Sequence, residues 1–121
     1  MATQAEFISV LHQSHTQSKT WHHQTDSFSA HKALGSYYED IVGLVDGLVE
    51  STQGIEARIT GYTTKPLVDY VDVPMLQTYF KGLYDYVQKE RVSIFQASWQ
   101  QNQIDEIAAL IASTLYRLSL K

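Results

Sequence analysis

Apolar residues recur at steps of three and four along most of this chain. Phe7, Ile8, Leu11, His15, Ser18 and His22 keep that spacing, which marks one face of a helix and predicts a first helix over about residues 4–23. The polar stretch Gln24-Thr25-Asp26-Ser27 follows. Asp26 or Ser27 can cap a second helix, because either side-chain oxygen accepts an orphan N–H of its first turn. Leu34, Tyr37, Tyr38, Ile41, Leu44, Val45, Leu48 and Val49 continue the pattern and predict a helix over about 28–52. Gly54 is a candidate stop, since glycine tolerates the left-handed closing conformation. Residues 55–72 lose the helical period and contain Gly61, Thr63, Thr64 and Pro66. They read as a long crossover, with room for one short helical turn at 55–59. Asp72-Val73-Pro74 is a cap followed by an early proline. Leu76, Tyr79, Phe80, Leu83, Val87, Arg91, Ile94, Phe95 and Trp99 then give a third helical stripe. Asn102 would cap a fourth helix, with Asp105 in its first turn and Ile104, Ile107, Ala108, Ile111, Leu115 and Leu118 on its apolar face.

The connections are therefore short, long, short. Short links join antiparallel neighbours, and a long one lets helices two and three run parallel. The expected fold is all-α: a single domain over residues 1–121, built as a four-helix bundle with one long crossover between helices two and three. A bundle with two long crossovers does not fit.

Composition narrows the function without naming it. The 121 residues are 44% hydrophobic and 12% aromatic, too apolar for a disordered chain and of single-domain length. No apolar run reaches the length of a membrane span. The opening MATQAEF has no basic-then-apolar block, so no secretory signal is expected, and a cytoplasmic setting is. There is no cysteine, which removes disulfides, thiolate nucleophiles and Cys-type zinc sites. A net charge of -4 argues against bulk-charge binding to nucleic acid. All five histidines lie between positions 12 and 31.

On the second helix, Glu39, Asp46 and Glu50 share a face away from the apolar stripe. Asp46 and Glu50 stand one turn apart, so their carboxylates can converge. His31 is roughly 22 Å from Asp46 along the axis at about 1.5 Å rise per residue, too far for one metal ion within one subunit. An antiparallel copy of the same helix would bring His31 of one chain beside Asp46 and Glu50 of the other. Gly35, Gly43 and Gly47, with Ser36, flank the acidic face. Each glycine costs about 0.5–1 kcal/mol in a helix interior, which suggests close approach of another backbone in a two-fold dimer. Blander readings compete. A carboxylate pair four apart is also what a solvated face looks like, and the glycines could mark a loose helix. His12 and His15, beside Leu11 and Ile8, read as partly buried or hydrogen-bonded rather than as ligands. Trp21 and Trp99 read as core or interface aromatics.

The segment His22-His23-Gln24-Thr25-Asp26-Ser27-Phe28-Ser29-Ala30-His31-Lys32-Ala33-Leu34, followed by Asp46-Gly47-Leu48-Val49-Glu50, resembles the Dps-type miniferritins of the ferritin-like superfamily. Their signature is roughly His-Trp-Asn, a short linker, Phe-x-x-x-His, then Asp-x-x-x-Glu. His31 and Asp46 keep the family's separation, and Glu50 follows at the expected step. Thr63-Thr64-Lys65-Pro66-Leu67 looks like the family's Thr-Pro-Leu entry toward helix three. Closer still is the likeness to a short miniferritin-like group common in phage genomes.

The resemblance implies a ferritin-like bundle, dimerised through helix two and assembled into a higher homo-oligomer. It implies that His22 and His31 of one chain and Asp46 and Glu50 of another bind iron in an intersubunit ferroxidase centre, where iron(II) is oxidised by peroxide or oxygen for detoxification or storage. Carboxylate and imidazole suit iron, and also manganese or zinc. Glu39 and His23 are possible supporting ligands. Three departures matter. The family's usual aspartate four residues after the second histidine is Gly35 here. Its tryptophan after the first histidine is His23. The linker between the histidines is shorter than in most of the family. No lysine-rich N-terminal tail is present, so nucleic-acid binding is not expected. The alternative reading is a metal-free helical interaction protein that kept the bundle and lost the chemistry.

Overall fold

The computed structural model describes residues 2–121, and every regular element in them is helical. Helix α1 spans Gln4–Gln24, α2 Phe28–Ile55, α3 Val73–Ile94 and α4 Ser98–Leu118. Three of the four starts are fixed by local chemistry. The side chains of Thr3, Ser27 and Asp72 accept the N–H groups of Glu6, Ala30 and Met75, each satisfying a donor with no partner inside the helix. Ser27 rather than Asp26 caps α2.

Side-chain bonds across the bundle give the helix directions. At one end Gln4 Nε2 reaches Glu56 and the Ile94 carbonyl, while Gln100 Nε2 donates to Thr52 and Glu56. At the other end Ser29 donates to the Leu120 carbonyl, and Gln77 to that of Leu118. Helices α2 and α3 therefore run parallel, opposite to α1 and α4. Around the bundle the order is α1, α2, α4, α3, so α2 and α3 sit on a diagonal. The long connection spans the length of the bundle to make this possible.

The apolar stripes meet in one core. Phe7, Ile8, Leu34, Ile41, Leu76, Phe80, Ile104 and Ile111 are all fully buried. Within it, Ser14 donates to the Leu11 carbonyl at 2.7 Å, so the Tyr37 hydroxyl 2.7 Å away donates to Ser14 Oγ. Burial pushes the Tyr37 phenol up from its ordinary value.

Three boundaries differ from expectation. Gly54 does not stop α2. The helix runs on to Ile55 and closes through the Glu56 N–H bonded to the Thr52 carbonyl, with Glu56 extended at φ -108°. No helical turn forms at residues 56–59. The break between α3 and α4 lies at 95–97, not near Asn102, which is an exposed position inside α4. Glutamines explain the shift. Gln100 Oε1 accepts the Ala97 N–H, and Gln101 Nε2 donates to the carbonyls of Arg91 and Phe95, closing both helix ends at once. Asp105, no longer in a first turn, instead pairs with the nearly buried Arg91 at 2.5 Å. Trp99 accordingly belongs to the first turn of α4.

The crossover is a strap laid on α1. Ser9 Oγ accepts the Thr63 N–H, and Gln17 grips Val68 twice, at its N–H and its carbonyl, both at 2.8 Å. Trp21 Nε1 donates to the same carbonyl at 2.7 Å. Gln24 accepts the Tyr70 N–H and donates to Asp69. A backbone without helix or sheet partners has its polar groups met by side chains of one helix. Among the described residues no helix is long and apolar enough to cross a membrane.

Candidate metal centre

The three-residue turn between α1 and α2 folds the last turn of one helix against the first turn of the next. It thereby sets His22 against His31. Their rings are stacked, 3.8 Å between centroids and 16° from parallel. Each ring is tied to the other residue's backbone: His22 Nδ1 lies 2.7 Å from the His31 carbonyl oxygen, and His31 Nδ1 lies 2.8 Å from that of His22. A carbonyl can only accept, so both Nδ1 atoms carry the proton. In the neutral rings each Nε2 is left with its lone pair. An N–H donated to a backbone carbonyl is the usual way a metal-binding imidazole is oriented and held in one tautomer. Both residues are half-buried, and neither Nε2 has a hydrogen-bond partner among the described residues.

Gly35 is part of this arrangement. A Cβ built on it would stand 3.0 Å from His22 Cε1 and 3.1 Å from His22 Nδ1. Within one chain, the close approach at Gly35 is made by an imidazole. Any side chain at position 35 would require the His22 ring to give by a few tenths of an ångström. Gly43 and Gly47 differ, with open space where a Cβ would go.

The remaining candidates lie elsewhere. Asp46, Glu50 and Glu39 are exposed on α2, about two turns or more beyond His31. Within one chain, no three of the described His, Asp or Glu residues gather to hold a metal ion. His23 is exposed, its ring 5.5 Å from that of His22. His12 is exposed and stacks on Tyr62, with centroids 5.4 Å apart. His15 is half-buried beside Tyr38, and burial, then Lys19 and His12, lower its pKa below the ordinary 6.5. His12, His15 and Asp46 line one groove between α1 and α2.

Two residues were not anticipated. Tyr38 sits edge-on to His22, with centroids 5.3 Å apart, and the Lys19 ammonium lies over its ring at 5.9 Å. Lys19 and Tyr38 fall on the same helical steps as the histidines, which is the signal that could have found them. Of the tryptophans, Trp21 is buried and serves the strap, while Trp99 is 36% exposed.

A family model described as a family of unknown function (DUF5856) matches residues 22–118. That span opens on His22 and contains His31, Asp46 and Glu50. No curated protein matches the chain, and no solved structure does.

Proposed function

The chain belongs to that family of unknown function, and from its own side chains we propose a ferritin-like, Dps-type role: binding iron(II) as substrate at an intersubunit site. His22 and His31 of one chain supply two Nε2 lone pairs. Asp46 and Glu50 of a second chain supply carboxylates. The second chain is brought up by antiparallel packing of α2 on α2, across the face that carries Gly43 and Gly47.

The observation that carries this reading is the reciprocal pair of imidazole-to-carbonyl bonds between His22 and His31. Stacked histidines on a solvated helix end have no need of one shared tautomer. Two oriented imidazoles, with a carboxylate pair brought up by a second chain, would form a donor set suited to a divalent first-row metal. The parallel placement of α2 and α3 across one long crossover agrees with the ferritin-like topology. Gly35 limits the chemistry. With no carboxylate there, the site holds fewer anionic ligands than the usual di-iron centre, which favours one tightly held iron over two. Glu39 of the partner and His23 would complete the coordination. Oxidation of the bound iron(II) by oxygen or peroxide would serve detoxification or storage in the cytoplasm, with iron as cargo.

The test is anaerobic iron(II) titration followed by oxygen or peroxide, read by ferric absorbance. Saturable binding is expected, abolished by His22→Ala with His31→Ala and equally by Asp46→Ala with Glu50→Ala. Unchanged binding in either double variant, or a strictly monomeric chain in light scattering, would overturn the proposal. The metal-free alternative rests on Gly35 and predicts no iron binding in any variant.

A further inference from the structure

On the far side of α1 from the histidines, α1 and α3 stand apart. They meet through Phe7 against Tyr86 and Phe95 at one end and through Trp21 against Tyr79 at the other. Here the strap forms one side of an open groove of about 580 Å3, within the size range of small-molecule sites, roughly 300–1,000 Å3. Its walls are apolar: Trp21, Pro66, Val68, Met75 and the ring of Tyr79. A smaller cavity adjoins it along α1, lined by Ser9, Val10 and Thr63.

Three polar side chains are shared by both cavities: Gln13, Lys65 and Tyr79. None has a hydrogen-bond or ion-pair partner among the described residues, where the ion pairs are those of Lys81 and Arg91. Burial raises the Tyr79 phenol above its ordinary value, so it stays a neutral donor. The Lys65 ammonium and the Gln13 amide donate beside it. No Asp or Glu lines either cavity, although the chain has 13 acids against 9 lysines and arginines. Lys65 also borders a third pocket, with His12, Thr63 and Thr64. A cation and neutral donors thus collect where the two cavities meet.

We infer that this groove binds a linear amphiphile with an anionic head, of the fatty-acid class. The carboxylate sits among Lys65, Tyr79 and Gln13, and the acyl chain lies between Trp21, Met75 and the strap. The head is an acid because the one charged group at the junction is a cation, and the Tyr79 hydroxyl and Gln13 amide N–H can donate with it. The tail is apolar because most of the surface lining the trough is apolar, with Gln17 already bonded to Val68. The inference is independent of the metal centre, which shares none of these residues.

The experiment titrates decanoate, below its micelle concentration, into the Trp99→Phe chain, so that Trp21 emission alone reports the groove. Decanol and decyltrimethylammonium are the comparison probes. Decanoate is expected to bind saturably, one per chain, with decanol about tenfold weaker and the cationic head weaker still. Lys65→Met, an exposed position outside the core, should remove the advantage of decanoate over decanol while leaving the circular dichroism unchanged. Thr78→Trp, which fills the trough, should abolish binding of both. Equal binding of the cationic amphiphile, a Lys65→Met chain that binds decanoate as before, or no saturable signal would each overturn the assignment.

Discussion

Against α2, helix α1 packs a continuous seam in which Ser14 meets Tyr37 and His22 stacks on His31. Against α3 it touches near its ends, and the strap bridges the gap. Both seams use the same device. Polar side chains of α1 bond to backbone groups of a neighbouring segment: His22 to the His31 carbonyl, and Ser9, Gln17, Trp21 and Gln24 to the strap. What differs is what the bonds leave free. On the α2 side they fix two imidazoles and leave their Nε2 atoms available. On the α3 side they satisfy an irregular backbone and leave an apolar groove beneath it. A helix with polar residues on a buried face can thus build two kinds of surface, one presenting two oriented imidazoles and one an apolar groove.

Trp21 is the residue whose loss should break this contrast most. It is 2% exposed, packs edge-on against Tyr79 at 4.9 Å and bonds the Val68 carbonyl. Trp21→Ala should cost about 3–5 kcal/mol by denaturant titration, and amide exchange should show the strap opening before the histidine turn. A smaller, more local effect is expected of Gly35→Ala. The added Cβ presses on the His22 ring, so iron(II) affinity should fall by about ten- to a hundredfold, as when a ligand loses its orientation. Overall stability should stay within about 1 kcal/mol, because alanine favours the helix. A titration showing unchanged affinity would separate the stack from metal binding.

Gln17→Leu acts on the strap alone. Trp21 still serves the Val68 carbonyl, but the Val68 N–H loses its acceptor. A loss of about 1 kcal/mol is expected, with faster exchange at that amide and no change at His22. The smallest effect concerns pH. The folded-state pKa of His15 lies below the unfolded 6.5, so the unfolded chain binds the proton more readily. Stability from neutral His15 is complete above pH 6.5 and declines as pH falls through the folded value. His15→Gln should flatten that part of the stability curve.

Much of the bundle was legible because its signals are local. Ser27 and Asp72 announce α2 and α3 by capping chemistry within four residues, and the apolar spacing names the buried faces. The start of α4 was misplaced because its determinants are not local. Gln100 and Gln101 look like solvated polar residues until the chain turns back on Arg91 and Phe95, while Trp99 happens to continue the stripe of α3. Gly54 was misread because a C-terminal turn can close with an extended residue such as Glu56. At the candidate centre, the family resemblance paired His22 with His31 across a short turn. It could not reveal the reciprocal carbonyl bonds, nor that Gly35 makes room for an imidazole. The groove was invisible in sequence, since Gln13, Lys65 and Tyr79 come from three separate segments.

The central claim is that one chain's histidines work with another chain's carboxylates. It is tested most directly by complementation. A chain carrying His22→Ala and His31→Ala is co-refolded in equal amount with one carrying Asp46→Ala and Glu50→Ala, and anaerobic iron(II) binding is measured. Each mixed dimer would contain one intact site, so random pairing should restore about a quarter of the original capacity. A mixture that binds no more iron than the two variants measured separately would contradict the account.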